Sequence, residues 1–493
     1  MNILLVYPEY PPTYWSFRFA VPFQRRKASY PPLGLMTLTP LLPKEWKKRV
    51  VDLNTTTLKD EDLQWADLVM ISAMIVQKDS AQETIRRAKA LGKTIVAGGP
   101  LWAKESSHTD PVDHVIVGEA ELLINTFLSD FTAGKAKPVY ETPHLPELSS
   151  TPVPDFDAVR LKNYSSMLLQ FSRGCPFNCE FCDIIEIFGR KARTKSNSQF
   201  LHEIDTLYTK GWRGAVFIVD DNFIGNKTAI RKLLPEIIDW QKKRGYPFNF
   251  FTEASVNLAR ETDMIDGMVE AGFRKVFLGI ETPVQESLKL TQKVQNTTMD
   301  LVEAVRKIQR AGLEVLSGFI VGFDSDPPDV FNRVIEFIKK AAIPVSMVGL
   351  LSALPGTQLT RRLLEEGRLL AESNGSNTTL DLNFVPRMDS TKLIEGYKKI
   401  VTTIYQSKHY YETVLDFLSH YKPRIRQKLN PADVVAFMNS IIKQGIRGED
   451  RGEYWKFLYQ AYRTNRQAFS EAVTLAIMGY HFRKVTELQV SAG

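Results

Sequence analysis

Arg173-Gly-Cys-Pro-Phe-Asn-Cys-Glu-Phe-Cys-Asp183 contains all three cysteines of a chain of 493 residues. An odd number cannot pair off as disulfides, and three thiols packed so closely imply one shared task. Thiolates are the preferred ligands of iron–sulfur clusters, and three of them leave one iron of a four-iron cluster open to a small molecule. The residues therefore read as a 4Fe-4S site on Cys175, Cys179 and Cys182. Structural zinc is the alternative; it takes four ligands and would need a histidine such as His202 to complete the set.

Working outward, an apolar strand at 167–171 leads into the cysteines, and strands recur near 215–219, 248–254, 276–280, 315–320 and 345–350. Amphipathic stretches separate them, so the pattern predicts a parallel sheet with crossover helices, a partial (β/α)6 barrel over 165–375. In such barrels chemistry gathers at the carboxyl ends of the strands. Those ends carry Asp220-Asp221-Asn222, Glu253-Ala-Ser255, Gly279-Ile-Glu281, Ser317 with Gly322, and Ser352 with Pro355-Gly-Thr-Gln358. Carboxylates accept hydrogen bonds from amino and ribose groups, and glycine lets backbone approach a ligand; ordinary capping and turn chemistry is the alternative for each.

Upstream, residues 1–138 alternate likewise, with strands at 2–6, 49–52, 68–72, 94–97 and 114–117 and turns at Gly98-Gly-Pro100 and Gly118-Glu119. This predicts a small Rossmann-like doubly wound sheet, which binds ligands at its strand ends or serves as a structural domain only. A linker is read over 139–164 and a helical domain over 376–493, where 410–418, 434–442, 454–462 and 469–478 carry apolar residues at helical spacing. Trp455, Tyr459 and Tyr462 read as core aromatics.

The composition, 44% hydrophobic and 24% charged, is that of a globular chain of two or three domains. No window reaches the roughly 18 apolar residues of a membrane span, and residues 1–10 read as a buried strand and not a leader, so a cytoplasmic protein is expected. Lys and Arg exceed Asp and Glu by 63 to 56, too small a surplus to predict a nucleic-acid partner. From His409 onward the count is 12 basic to 8 acidic, beginning with Lys422, Arg424, Arg426 and Lys428. That cluster reads as a patch for an anionic lipid surface or as a solvated helical face.

With Phe181 at its aromatic position, the cysteine segment resembles the C-x3-C-x-(aromatic)-C pattern of the radical S-adenosylmethionine superfamily. The resemblance implies that S-adenosylmethionine chelates the open iron and that one-electron reduction, by a donor such as flavodoxin or ferredoxin, releases a 5′-deoxyadenosyl radical. Phe181, Asp221, Glu253, Glu281, Ser317 and Gly322 are then the expected contacts of S-adenosylmethionine. The small sheet before the barrel, with Pro31-Pro-Leu-Gly-Leu35, Ser72-Ala-Met74, Gly98-Gly-Pro100 and Gly118-Glu-Ala-Glu121, resembles the cobalamin-binding class of that superfamily. By position, Ser72, Met74, Gln77, Gly98, Gly99, Gly118 and Glu119 would touch cobalamin. The Asp-x-His-x-x-Gly signature of other cobalamin proteins is absent, since His114 follows Asp113 directly, so no histidine ligand is expected beneath the metal.

The carboxyl-terminal segment resembles the helical domain of hopanoid 2-methylases and their relatives. Three functions follow: methylation of an unactivated carbon, with a lipid as the expected substrate; radical cyclisation, rearrangement or carbon–carbon coupling without methyl transfer; or a redox or cobalamin sensor. Enzymes of the superfamily that need auxiliary clusters are set aside, because no further cysteine exists.

Overall fold

The computed structural model describes residues 1–103, 110–425 and 430–491. Two six-stranded parallel sheets follow one another in the chain. The first contains β1 (Asn2–Tyr7), β2 (Lys47–Asp52), β3 (Leu68–Ser72), β4 (Thr94–Gly98), β5 (His114–Ile116) and β6 (Val139–Tyr140), in the order β2-β1-β3-β4-β5-β6. Its inner strands β1, β3 and β4 are apolar on both faces because both are covered. Leu4, Val69 and Ile95 pack on one side, Ile3, Leu68 and Val96 on the other. The order reverses between β1 and β3, which opens the crevice at their carboxyl ends where doubly wound sheets bind ligands. The edge strand β6 falls in the stretch read as linker; two residues carry no periodicity to reveal it.

β7 (Ser166–Leu169) leads into the cysteine segment, which is bracketed by the short antiparallel pair β8 (Ser172–Arg173) and β9 (Arg193–Thr194). Then come β10 (Gly214–Ile218), β11 (Phe248–Ala254), β12 (Phe273–Glu281), β13 (Glu314–Val321) and β14 (Val345–Leu350). With β7 they form a sheet in unbroken sequence order, the open partial barrel. Side chains alternate accordingly: along β11, Phe248, Phe250, Thr252 and Ala254 are buried, whereas Asn249, Phe251 and Glu253 are only partly covered and face the lumen.

Five carboxyl-terminal helices, Ser390–Tyr405, Ser407–His420, Pro431–Ser440, Arg451–Thr464 and Phe469–Ser491, share the barrel's apolar core. Tyr405 Oη donates to Ser346 O at 2.6 Å and so ties the bundle to β14. Residues 11–30, an excursion between β1 and β2, run between bundle and barrel: Tyr14 stacks on Phe482 at 4.5 Å and Trp15 meets Phe277 at 5.2 Å. The aromatics expected in the core, Trp455, Tyr459 and Tyr462, instead stand outward, 46%, 64% and 46% exposed. Helical spacing marks a stripe but not which body, if any, it faces. Of the basic cluster, Arg424 pairs with Asp266 at 2.7 Å, and Arg426 and Lys428 lie outside the described residues. Among the described residues no helix is long and apolar enough to cross a membrane.

Candidate active site

The cysteine segment hangs from two adjacent carboxylates at the end of β10. Asp220 accepts from Phe171 N, Ser172 N and Ser172 Oγ at 2.7, 2.9 and 2.6 Å. Asp221 accepts from Gly174 N at 2.8 Å. Gly174 has φ +94°, and a Cβ there would lie 2.7 Å from Lys191 O and 2.9 Å from Gly189 O, so only glycine fits. Cys175, Cys179 and Cys182 are free thiols. Asn222 Nδ2 approaches Cys175 Sγ at 3.8 Å and Gln295 Nε2 approaches Cys179 Sγ at 3.7 Å. Burial raises the Cys175 thiol, and burial followed by the Asp183 charge raises Cys182 well above its ordinary value. Buried thiols with amide donors and a neighbouring lysine fit an iron–sulfur cluster, whose metal charge offsets the cost of ionising them. Among the described residues no three His, Cys, Asp or Glu side chains are gathered tightly enough for one metal ion; thiolates that each bind a different iron need not be.

Around this loop the strand ends form an acidic arc. A bulge between Gly279 and Glu281 re-aims the end of β12, leaving Glu281 at φ +65° and in an ion pair with Lys293 at 2.6 Å. Burial would lower the Lys293 ammonium, but Glu281 and the thiols of Cys179 and Cys182 outweigh it and hold it raised. The same ammonium lies 5.9 Å from the Phe181 ring, which meets Phe323 at 5.9 Å. Glu253, on β11, has no hydrogen-bond or ion-pair partner among the described residues; burial, then Asp221 and Glu281, push its carboxyl to about 8. Asp221 is pushed to about 7, chiefly by burial. Ser317 is on the outer face, its buried hydroxyl donating to Leu278 O at 3.0 Å. Gly322 begins a turn in which its N–H donates to Asp326 at 2.9 Å.

Below the arc the lumen is walled by rings. Phe217 and Phe251 stack at 4.4 Å, Tyr30 sits 5.7 Å from Phe217, and Trp15 covers Phe277. All five are only partly buried, although they lie inside the protein, so space remains between them.

The strand ends of the first sheet face the cysteine loop. At the β1/β3 crevice Tyr10 Oη donates to Met74 Sδ at 3.1 Å, and Met74 is half exposed. Gln77 is buried and spent internally, accepting from Met74 N at 2.8 Å and donating to Pro8 O at 2.5 Å. Gly98 ends β4; Gly99 has φ +92°, and a Cβ there would meet Ala73 O at 2.8 Å and Ser72 Oγ at 3.0 Å. Gly118, with φ +86°, is open on its Cβ side. Such a lining of glycine, backbone and few charges fits a flat, bulky corrin ring. His114 starts β5, at the opposite end of the sheet, bonded to Lys137 O at 2.7 Å. Glu119 has another engagement: it grips Arg173 at 2.5 Å and Arg193 at 2.6 Å, while Glu121 grips Arg173 at 2.8 Å. Burial pushes Glu121 up, but Arg173 outweighs it and holds the carboxyl below its ordinary value. The first sheet is thereby locked to the residue preceding Gly174-Cys175.

Lys293, Gln295 and this clamp had no signal in the sequence, because their partners lie far along the chain. Arg173, immediately before the glycine and cysteine, was the one visible hint. Trp15 and Tyr30 sit in a segment without periodicity.

Comparison with known proteins places these features. Residues 169–338 match the model of the radical SAM superfamily, and residues 357–492 match a domain of unknown function (DUF4070). An uncharacterized methyltransferase of Synechocystis sp. is 40% identical over 99% of this chain and 92% of its own. The hopanoid C-2 methylase of Rhodopseudomonas palustris is 32% identical over 97% of this chain and 92% of its own. In fold the chain is similar to the radical S-adenosylmethionine methyltransferase TsrM of Kitasatospora setae, solved with cobalamin and a [4Fe-4S] cluster: TM-score 0.61, 14% identity, 94% of this chain and 99% of that one.

Proposed function

Because the chain belongs to the radical SAM methyltransferase family that includes the hopanoid C-2 methylase, we propose that it methylates an unactivated carbon of an apolar, polycyclic or isoprenoid lipid. In this reading Cys175, Cys179 and Cys182 hold the 4Fe-4S cluster. Phe181, Asp221, Glu253, Glu281 and Gly322 frame S-adenosylmethionine, and Ser72, Met74, Gly98, Gly99 and Gly118 line the cobalamin crevice. Ser317, Gln77 and Glu119 are left out, since their polar groups are spent within the fold. The cofactors, with a one-electron donor such as flavodoxin or ferredoxin, supply hydrogen abstraction and the methyl group.

The protein's part is to bind, orient and exclude water. Asn222 and Gln295 place amide dipoles at two sulfurs. The Glu281–Lys293 pair fixes the end of β12 beside the cysteine loop. The Glu253 carboxyl, protonated at neutral pH, can donate from its hydroxyl oxygen. Trp15, Tyr30, Phe217, Phe251 and Phe277 offer ring faces to an apolar skeleton and keep water from a carbon radical. The observation that carries the reading is this aromatic wall directly beneath the acidic arc, because a polar metabolite would lose its hydration there without replacement.

The test is anaerobic reconstitution with iron, sulfide, hydroxocobalamin and methyl-labelled S-adenosylmethionine, followed by incubation with lipid and water-soluble extracts. Label in an apolar lipid with 5′-deoxyadenosine is expected. Label only in a water-soluble product would overturn the substrate class, and 5′-deoxyadenosine without label would favour cyclisation, rearrangement or coupling.

A further inference from the structure

On the far side of the helical region, helix Pro431–Ser440 runs on through a π-helical turn, Ile441–Ile446, and presents Val434, Met438, Ile442 and Ile446 at intervals of four. All four are exposed, Met438 by 53% and Ile446 by 59%. Helix Arg451–Thr464 returns beside it: Trp455 Nε1 donates to Gly445 O at 2.9 Å, and the Phe469 ring bridges Phe437 at 6.0 Å and Tyr462 at 5.7 Å. The outward aromatics Trp455, Tyr459 and Tyr462 thus stand on a helix that is joined to the helix of the aliphatic row through Gly445 and Phe469. A folded protein rarely leaves so many large apolar side chains of one hairpin in water without a partner.

Cations outnumber acids around it, six to four. Lys443, Arg447, Arg451, Lys456, Arg463 and Arg466 make no ion pair among the described residues, and Arg463 and Arg466 lie 5.9 and 5.3 Å from the rings of Tyr459 and Tyr462. Of the acids on the hairpin, Asp433 is taken up in capping Asn430 and Asp450 accepts from Ser407. Only Glu449 and Glu453 remain. Apolar row, ring edges and a cationic rim are what an anionic bilayer surface accepts, with hydrocarbon inserted at acyl depth and cations among the phosphates. A second copy of the chain would set this cationic rim against itself.

The geometry points to this hairpin, residues 431–464, as a docking surface for an anionic phospholipid membrane. It is continuous with the lumen wall: Asn439 Nδ2 donates to Phe23 O at 2.8 Å and Lys443 covers the Phe23 ring at 4.6 Å, in the same segment 11–30 that carries Trp15 and Tyr30. The proposal rests on the surface itself, and it would give the apolar substrate proposed above a route from bilayer to lumen.

The full-length protein is floated with phosphatidylcholine vesicles with and without phosphatidylglycerol. Wild type should float with the anionic vesicles. Changing Arg447, Lys456 and Arg463 to Gln should weaken that partitioning by roughly fivefold per residue. Met438→Glu with Ile446→Glu should abolish it, while Leu364→Glu, at an exposed leucine outside the hairpin, should leave it intact. Circular dichroism verifies that each variant is folded. Wild type that ignores both vesicles, folded variants that float like wild type, or an apolar row found by sedimentation to be buried in a homodimer would each overturn the proposal. Lipid methylation by a protein that ignores vesicles overturns the docking surface alone; flotation of a protein whose substrate is water-soluble supports it and overturns only the proposed substrate.

Discussion

Glu119→Gln should unlock the first sheet from the cysteine loop. The Glu119 side chain is 3% exposed and balances two guanidiniums, Arg173 and Arg193, that are 11% and 6% exposed. The neutral amide leaves one buried positive charge uncompensated, a change that costs about 3–5 kcal/mol when nothing else can respond. Here Arg173 keeps Glu121, and Arg193 keeps Pro146 O at 2.6 Å and Phe188 O at 3.2 Å, which points to the lower end. Arg193 Nε is already buried without a partner, so it has nothing further to fall back on. About 3 kcal/mol corresponds to roughly a hundredfold rise in the open population. Hydrogen exchange of the β8 and β9 amides in the apoprotein reads that population directly. Adding Arg193→Gln to Glu119→Gln removes the orphaned charge and should recover most of the loss. A single variant that costs less than about 1 kcal/mol, or a double variant whose cost is the plain sum of the two singles, would refute the clamp.

Cys175→Ala, Cys179→Ala and Cys182→Ala should each abolish cluster assembly with the fold largely retained, since no fourth thiolate exists; iron and sulfide content and 5′-deoxyadenosine formation measure this. Gly174→Ala forces a Cβ to within 2.7 Å of Lys191 O at positive φ and should cost at least about 1–3 kcal/mol in urea unfolding, together with cluster occupancy. Glu253 makes the apoprotein pH-sensitive. Its folded pKa of about 8 lies above the ordinary 4.5, so folded protein holds a proton that the unfolded chain has lost, and stability falls as pH rises through that window. Glu253→Gln should therefore raise Tm at pH 8.5 by the equivalent of a few kcal/mol and leave it nearly unchanged at pH 4; equal shifts at both would show that the carboxyl is not desolvated.

The parallel strands were legible because both faces of each sheet are covered, which turns 2–6, 68–72 and 345–350 into largely apolar runs. The cysteine site was legible because its three thiols are local. What escaped is whatever depends on two distant stretches meeting. Lys293 gains meaning only beside Glu281, and Glu119, read as a cofactor contact, shows its engagement only once Arg173 and Arg193 are in place. Ser317 and Gln77 show the reverse: polar residues at strand ends, attractive as ligands in sequence, are consumed by neighbouring backbone. Trp455 and Tyr459 were read inward because periodicity reports amphipathicity and not burial.

The excursion at 11–30 and helix Phe469–Ser491 depend on each other. His481, in helix Phe469–Ser491, donates from Nε2 to Tyr14 O at 3.0 Å and accepts Phe19 N at Nδ1 at 3.4 Å, a pattern that needs the neutral imidazole that burial secures. On the ribosome, Trp15 and Tyr30 emerge several hundred residues before the helix that seats their segment. The lumen wall is thus finished only once helix Phe469–Ser491 has been made, and a barrel without that helix would present its radical site to water.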